Sequence, residues 1–236
     1  MWKEWRGMFR QRGGRMRTFM TLVIPLAFFA VYCPWEAGER WLEGGPSILA
    51  SIAVPLLMVM LVVSDSFAGE RERHTLETLL ASRLSDWSIL LGKVLFAVCM
   101  AWGLVWIILA LGLLTVNVAH WEGRVVFYSA QCLAFNLVLG LLTSLCATGA
   151  GVLISLRAGT VQEAQQTMAA VMFLPPAILG PIVLVVGRSW PEWDLKAVLL
   201  RIGPTPVFAI VAGSFLVLAM LLLWAAARRF QRERMS

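Results

Sequence analysis

The sequence predicts an all-α membrane protein: six transmembrane helices, an N-terminal interfacial helix, a cytoplasmic helix between spans 2 and 3, and a short outer amphipathic helix before span 6. Three observations carry this. The 236 residues are 59% apolar and 14% charged, with a mean hydropathy of +0.77; soluble domains are about 45–50% apolar and about 25% charged. Six apolar runs, 18–35, 47–68, 94–119, 125–156, 168–187 and 207–227, are each long enough to cross a hydrocarbon core of roughly 30 Å. Lys and Arg divide unequally between the two sides those runs define. In lipid each segment pairs its own backbone groups, so the runs are helices. The ten-residue alternation of a membrane β-barrel is not seen. The whole of 1–236 reads as a single transmembrane domain.

Of the 20 basic residues, fifteen fall on the side shared by the termini. They are Lys3, Arg6, Arg10, Arg12, Arg15 and Arg17, then Arg71, Arg73, Arg83 and Lys93, then Arg157, and finally Arg228, Arg229, Arg232 and Arg234. Arg40, Arg124, Arg188, Lys196 and Arg201 lie opposite. The positive-inside rule makes the termini cytoplasmic. Trp35, Trp41, Trp121, Trp190 and Trp193 mark an outer belt, and Trp2, Trp5 and Trp87 an inner one. The net charge of +6 is therefore a topology signal, and no nucleic-acid motif accompanies it.

The leader 1–17 has Trp2, Trp5 and Phe9 at helical spacing, which fits a basic helix in the inner interface; an unstructured basic anchor is the alternative. Gly13 and Gly14 end it. The first run has no A-x-A-like cleavage site, and Tyr32 is too large for a lipoprotein signal at Cys33, so it reads as a retained span. A short acidic outer loop, Glu36–Pro46, leads to the second run, near whose inner end Asp65 suits helix capping. Trp102 and Trp106, four apart in the third run, suit helix or lipid packing.

The fourth run has 32 residues, roughly 48 Å of helix, so it tilts, kinks or projects. Ser129, Asn136, Gly140, Thr143, Ser144, Ala147 and Gly151 share one face of it. Such a face serves close helix packing, a translocation path or a dimer seam, with Ser129, Asn136, Thr143 and Ser144 as its polar members. Pro175, Pro176 and Pro181 predict a bent or broken fifth span. Pro191 then opens a short outer helix, ended by Gly203, Pro204 and Pro206. A basic cytoplasmic tail, 228–236, follows the sixth run. No C-x-x-C framework and no metal-ligand cluster occurs.

The insert between spans 2 and 3 is longer than a turn requires. Over 70–84, Leu76, Leu79, Leu80 and Leu84 form one helical stripe, and Arg73 can pair with Glu77. Ser85 or Asp86 can cap the helix that follows. An amphipathic helix there docks a separate protein or lies on lipid. The acids Glu70, Glu72, Glu77 and Asp86 nearly balance the bases, which argues against anionic lipid.

The order E-R-E-R-H-T-L-E-T-L-L, a short break, then L-L-G-K at the start of a span resembles the first cytoplasmic loop of type-2 ATP-binding-cassette (ABC) transporter permeases. Glu70, Arg71, Glu72, Thr75, Leu76, Glu77, Leu79, Leu80, Leu84, Ser85, Gly92 and Lys93 match. His74 stands where glycine is usual, and Arg83 where proline is usual. The resemblance implies a transmembrane half-transporter, an exporter in the bacterial cytoplasmic membrane, paired with a second permease chain as homodimer or heterodimer. It implies that an ABC ATP-binding subunit, which holds the ATP and Mg, docks on a coupling helix of Glu70, Arg71, Glu72, Arg73, His74, Thr75, Leu76, Glu77, Leu79, Leu80 and Arg83. No cofactor and no catalytic residue is implied for this chain. A P-loop needs G-x-x-x-x-G-K-[ST], whereas Gly92-Lys93 has Trp87 in place of the first glycine and Val94 after the lysine. The alternatives are an ion-coupled carrier or membrane scaffold, for which Asn117, Gln131 and Asn136 are a thin polar set. A membrane-embedded enzyme is less well supported, because His74 and His120 lie on opposite sides.

Overall fold

The computed structural model describes residues 23–72, 86–189 and 204–232. The leader 1–17, residues 73–85 of the insert, the outer helix after Pro191 and the last four residues of the tail lie outside the described residues. The described residues form helices and no strand: α1 (Val23–Ala37), α2 (Glu39–Glu43), α3 (Gly45–Glu72), α4 (Asp86–Ala119), α5 (Ala130–Ser155), α6 (Val161–Ser189) and α7 (Pro204–Arg232). By length and apolarity α3, α4, α5 and α7 can each cross a membrane. Two compact units are present. The first combines the segments before Met60 with Trp87–Ser144, and the second combines the segment from Met60 with that from Leu145.

The first unit is built around an aromatic plug. The predicted loop Glu36–Pro46 is instead largely helical, and Trp41, expected in an outer belt, is 0% exposed. Gly38 (φ 56°) and Gly44 (φ 122°) flank α2 in conformations that side-chain-bearing residues rarely adopt, and these two turns fold α2 back between α1 and α3. Buried indole needs a partner for its N–H. Trp41 Nε1 donates to Tyr128 Oη (2.7 Å), and that hydroxyl donates to the Leu109 carbonyl (3.1 Å). Gly112 on α4 makes the room, since a Cβ there would lie 2.5 Å from Trp41 Nε1. In α1, Phe28–Tyr32 winds as a π-helix, and the Ala30 carbonyl in it lies 3.2 Å from Thr115 Oγ1 of α4.

The fourth apolar run is not one helix. Residues 125–129 are non-helical and α5 begins only at Ala130, which resolves the excess length. Asn117 holds this segment as a strand partner would. Its Oδ1 accepts the Val126 N–H (2.8 Å), and its Nδ2 donates to the Val126 carbonyl (2.9 Å). Ser129 then caps α5, its Oγ accepting the Cys132 N–H (3.1 Å). Trp102 donates to the Leu137 carbonyl (3.0 Å), so it packs α4 on α5, while Trp106 is exposed.

In the second unit, small residues let helices approach closely. A Cβ on Gly149 of α5 would fall 2.8 Å from Leu222 Cβ of α7, and Cys146 Sγ donates to the Phe215 carbonyl (3.1 Å). The helix over the predicted fifth run is not broken. α6 runs through Pro175, Pro176 and Pro181 and starts seven residues before the predicted run, at Val161.

Gly112→Ala should overpack the indole and lower stability by about 1–3 kcal/mol. Gly103→Ala, on the same helix with open space around it, should be neutral or stabilising by up to ~1 kcal/mol. Thermal unfolding of the two variants in one detergent compares them.

Candidate functional site

The insert is bounded by two helices, and its first shore is the more informative. α3 continues past residue 68, the predicted end of span 2, without interruption to Glu72. No proline interrupts Ser64–Glu72, and its single glycine, Gly69, is tolerated within the helix. Asp65 therefore lies inside α3 and not at its end, which removes the capping role expected for it. Glu70, Arg71 and Glu72 form the last turn of α3, while Arg73, His74, Thr75, Leu76, Glu77, Leu79, Leu80 and Arg83 lie outside the described residues. On the far shore α4 begins at Asp86, with Trp87 exposed.

The end of α3 meets the start of α6 within the second unit. A helix N-terminus leaves N–H groups without intrahelical partners, and here side chains supply them. Thr160 is the N-cap: its Oγ1 accepts the Glu163 N–H (3.2 Å) and its carbonyl accepts the Ala164 N–H (3.1 Å). Glu163 reaches back to accept the Gly159 N–H (2.9 Å), a variant of the capping box. The Val161 N–H, first of the helix, is taken by Glu72 Oε2 (3.2 Å) from 89 residues away. Two carboxylates thus stand at the positive end of the α6 dipole.

Packing below these bonds fixes the two helices antiparallel. Ala68, Ala164 and Met168 are buried, and Ser64 Oγ lies 3.7 Å from Met168 Sδ. Gly69 permits the approach, for a Cβ there would lie 3.0 Å from Asp65 Oδ1 and 3.4 Å from Val161 Cγ2. The sequence carries a signal for this site, T-V-Q-E ahead of an apolar run, in a first turn too polar to be found by apolarity alone.

The polar face of α5 divides. Ser129 stands outside the helix as its exposed cap, apart from the others. Asn136 is buried and saturated: its Oδ1 accepts from Ser51 Oγ (2.7 Å), and its Nδ2 donates to the Cys132 carbonyl (2.9 Å) and Ser47 Oγ (3.3 Å). Ser144 donates to the Gly140 carbonyl (2.7 Å). Thr143 is buried, and its hydroxyl has no hydrogen-bond partner among the described residues. Gly140 faces Val105 and the Ser51 carbonyl, a group that loses its helical donor to Pro55. Gly92 and Lys93 lie within α4, so their backbone amides serve the helix and form no phosphate cradle.

The profile of the ABC-2 type transporter family matches residues 1–198. Over 148 residues the chain is 35% identical to the "Probable multidrug ABC transporter permease YbhR" of Escherichia coli K12, covering 63% of this chain and 37% of that protein. Over 177 residues it is 28% identical to the "ABC transporter permease protein NatB" of Bacillus subtilis 168, covering 70% of this chain and 44% of the relative. The matched region thus spans less than half the length of either relative.

Thr160→Ala should remove the α6 cap and lower stability by about 1 kcal/mol, with Thr160→Ser restoring it. Chemical unfolding in mixed micelles measures both, and equal stability of all three proteins would contradict the capping geometry.

Proposed function

The chain belongs to the ABC-2 type transporter family, and from that premise we propose that it is the transmembrane permease subunit of an ATP-driven exporter. A separate ATP-binding subunit docks on the insert, at residues 70–84, and holds the ATP and Mg. A second permease chain completes the pathway. The termini and the insert face the cytoplasm, as the Lys and Arg distribution requires. A lipidic or amphipathic cargo is in keeping with a chain rich in Trp, Phe and Met.

One observation carries the docking reading. The family-matching residues Glu70, Arg71 and Glu72 are the last turn of a helix that runs unbroken from Gly45. A load applied at the insert therefore enters a span through helix whose hydrogen-bond ladder meets no proline between Glu72 and Pro55. The buried and saturated Asn136 supports packing for the α5 face, so Thr143, whose hydroxyl is still unpaired among the described residues, is the better candidate of that face to meet a water or cargo. The apolar face of α7, with Ile210 and Met220 well exposed, suits lipid or the second permease chain.

The test is purification of the tagged chain from native membranes followed by assay of vanadate-sensitive ATP hydrolysis. The chain should retain an ATP-binding subunit. Replacing Glu70, Glu77 and Leu80 together should weaken that retention by about 2 kcal/mol or more, roughly thirtyfold, and should uncouple hydrolysis from transport. Transport driven by an ion gradient in proteoliposomes free of any ATPase would overturn the proposal.

A further inference from the structure

We infer that Glu72 is a positioning residue that clasps the docking segment to the first turn of α6, so that movement of the insert is delivered to α6 as well as along α3. The inference rests on the docking reading above. Four observations meet at this point. Glu72 Oε2 accepts the Val161 N–H at 3.2 Å. That N–H is the first of α6, where Thr160 already caps the N–H of Glu163, so a carboxylate here meets both an otherwise unmet donor and the helix dipole. Gly69 removes the Cβ that would crowd Asp65 and press on Val161, letting α6 come within reach. About two helical turns below, Ser64 and Met168 hold the same two helices together. Two contacts, at Ser64–Met168 and at Glu72–Val161, stop the helices pivoting about either one. The last turn of α3 therefore cannot be displaced without carrying the start of α6 with it or breaking the Glu72 bond.

Because the acceptor's partner is a backbone N–H, the clasp can be cut from the α6 side without touching the docking residues. Val161 is the first residue of the helix, where proline is well tolerated and supplies no N–H. The residue before it is the N-cap, a position whose backbone is ordinarily extended and so suits a residue preceding proline. Val161→Pro thus removes the donor, and Val161→Ala removes the side chain while keeping the donor. Both are placed in a chain with Cys33 and Cys99 replaced by alanine and a cysteine introduced by Gln166→Cys, exposed on α6. The complex with the ATP-binding subunit is reconstituted in nanodiscs. The rate of modification by a membrane-impermeant maleimide is then read with and without ATP and vanadate.

With Val161 or Val161→Ala, trapping nucleotide should change the rate by about fivefold or more, the low end of ordinary coupling between sites. Val161→Pro should abolish that change while still retaining the ATP-binding subunit, and Glu72→Gln should diminish it. A full response in Val161→Pro, or none in the parent chain, overturns the clasp while leaving docking intact. Failure of the parent chain to retain an ATP-binding subunit overturns the docking reading, and the clasp falls with it.

Discussion

The constraint on which this structure depends is that backbone N–H and C=O groups away from water must find partners inside the protein. Regular helix meets it over most of the described chain. The informative places are those where the helix stops. Between α4 and α5, the Asn117 amide exchanges two bonds with Val126 and so replaces a neighbouring strand. At α2, the Trp41–Tyr128–Leu109 relay satisfies an indole N–H, a phenol and a carbonyl in one line. At the head of α6, Thr160, Glu163 and Glu72 meet the donors of the first turn. The side chains of greatest structural consequence are polar ones placed where the backbone departs from helix.

This explains what could and could not be read from the sequence. Spans 2, 3, 4 and 6 were legible because crossing a membrane needs only summed apolarity, which survives local errors. Boundaries were not. Val125, Val126 and Phe127 are as apolar as any span, and only the tertiary pairing with Asn117 takes them out of the helix. Trp41 sat where an interfacial indole was expected; its burial depends on Gly112, 71 positions further on, lacking a side chain. Asn136 is bonded to Ser47 and Ser51 of α3, partners that no spacing within its own run could indicate. The T-x-x-E signature at Thr160 is readable by rule, but Gln162, Glu163, Gln165 and Gln166 make the first turns of α6 too polar to belong to an apolar run, which begins only at Met168.

The two units share two continuous helices. α3 contributes residues up to Val59 to one unit and those from Met60 to the other, and α5 divides likewise after Ser144. The polar contacts of these helices differ on either side. In the first unit Ser47, Ser51, Cys132 and Asn136 form a closed hydrogen-bonded cluster. In the second they include Ser64 against Met168, Cys146 against Phe215, Gly149 against Leu222, and the Glu72 carboxylate on the Val161 N–H. Interhelical hydrogen bonds in a membrane specify register at modest energy, about 0.6 kcal/mol on average. Small-residue contacts leave fewer directional bonds to break when helices slide.

The prolines of α6 belong to the same argument. Pro175, Pro176 and Pro181 cannot donate, so the carbonyls of Val171, Met172 and Ala177 lack their usual helical partners. A helix bends most easily where its ladder is interrupted. The interruption begins just beyond Met168, the deeper of the two points at which α6 is held to α3. α6 therefore consists of a clasped segment, Val161–Met168, followed by a stretch of weakened ladder. On the proposed mechanism that order matters. A displacement arriving at Glu72 would move the clasped segment as one piece with the end of α3, and the bending would fall beyond it, in the stretch of weakened ladder.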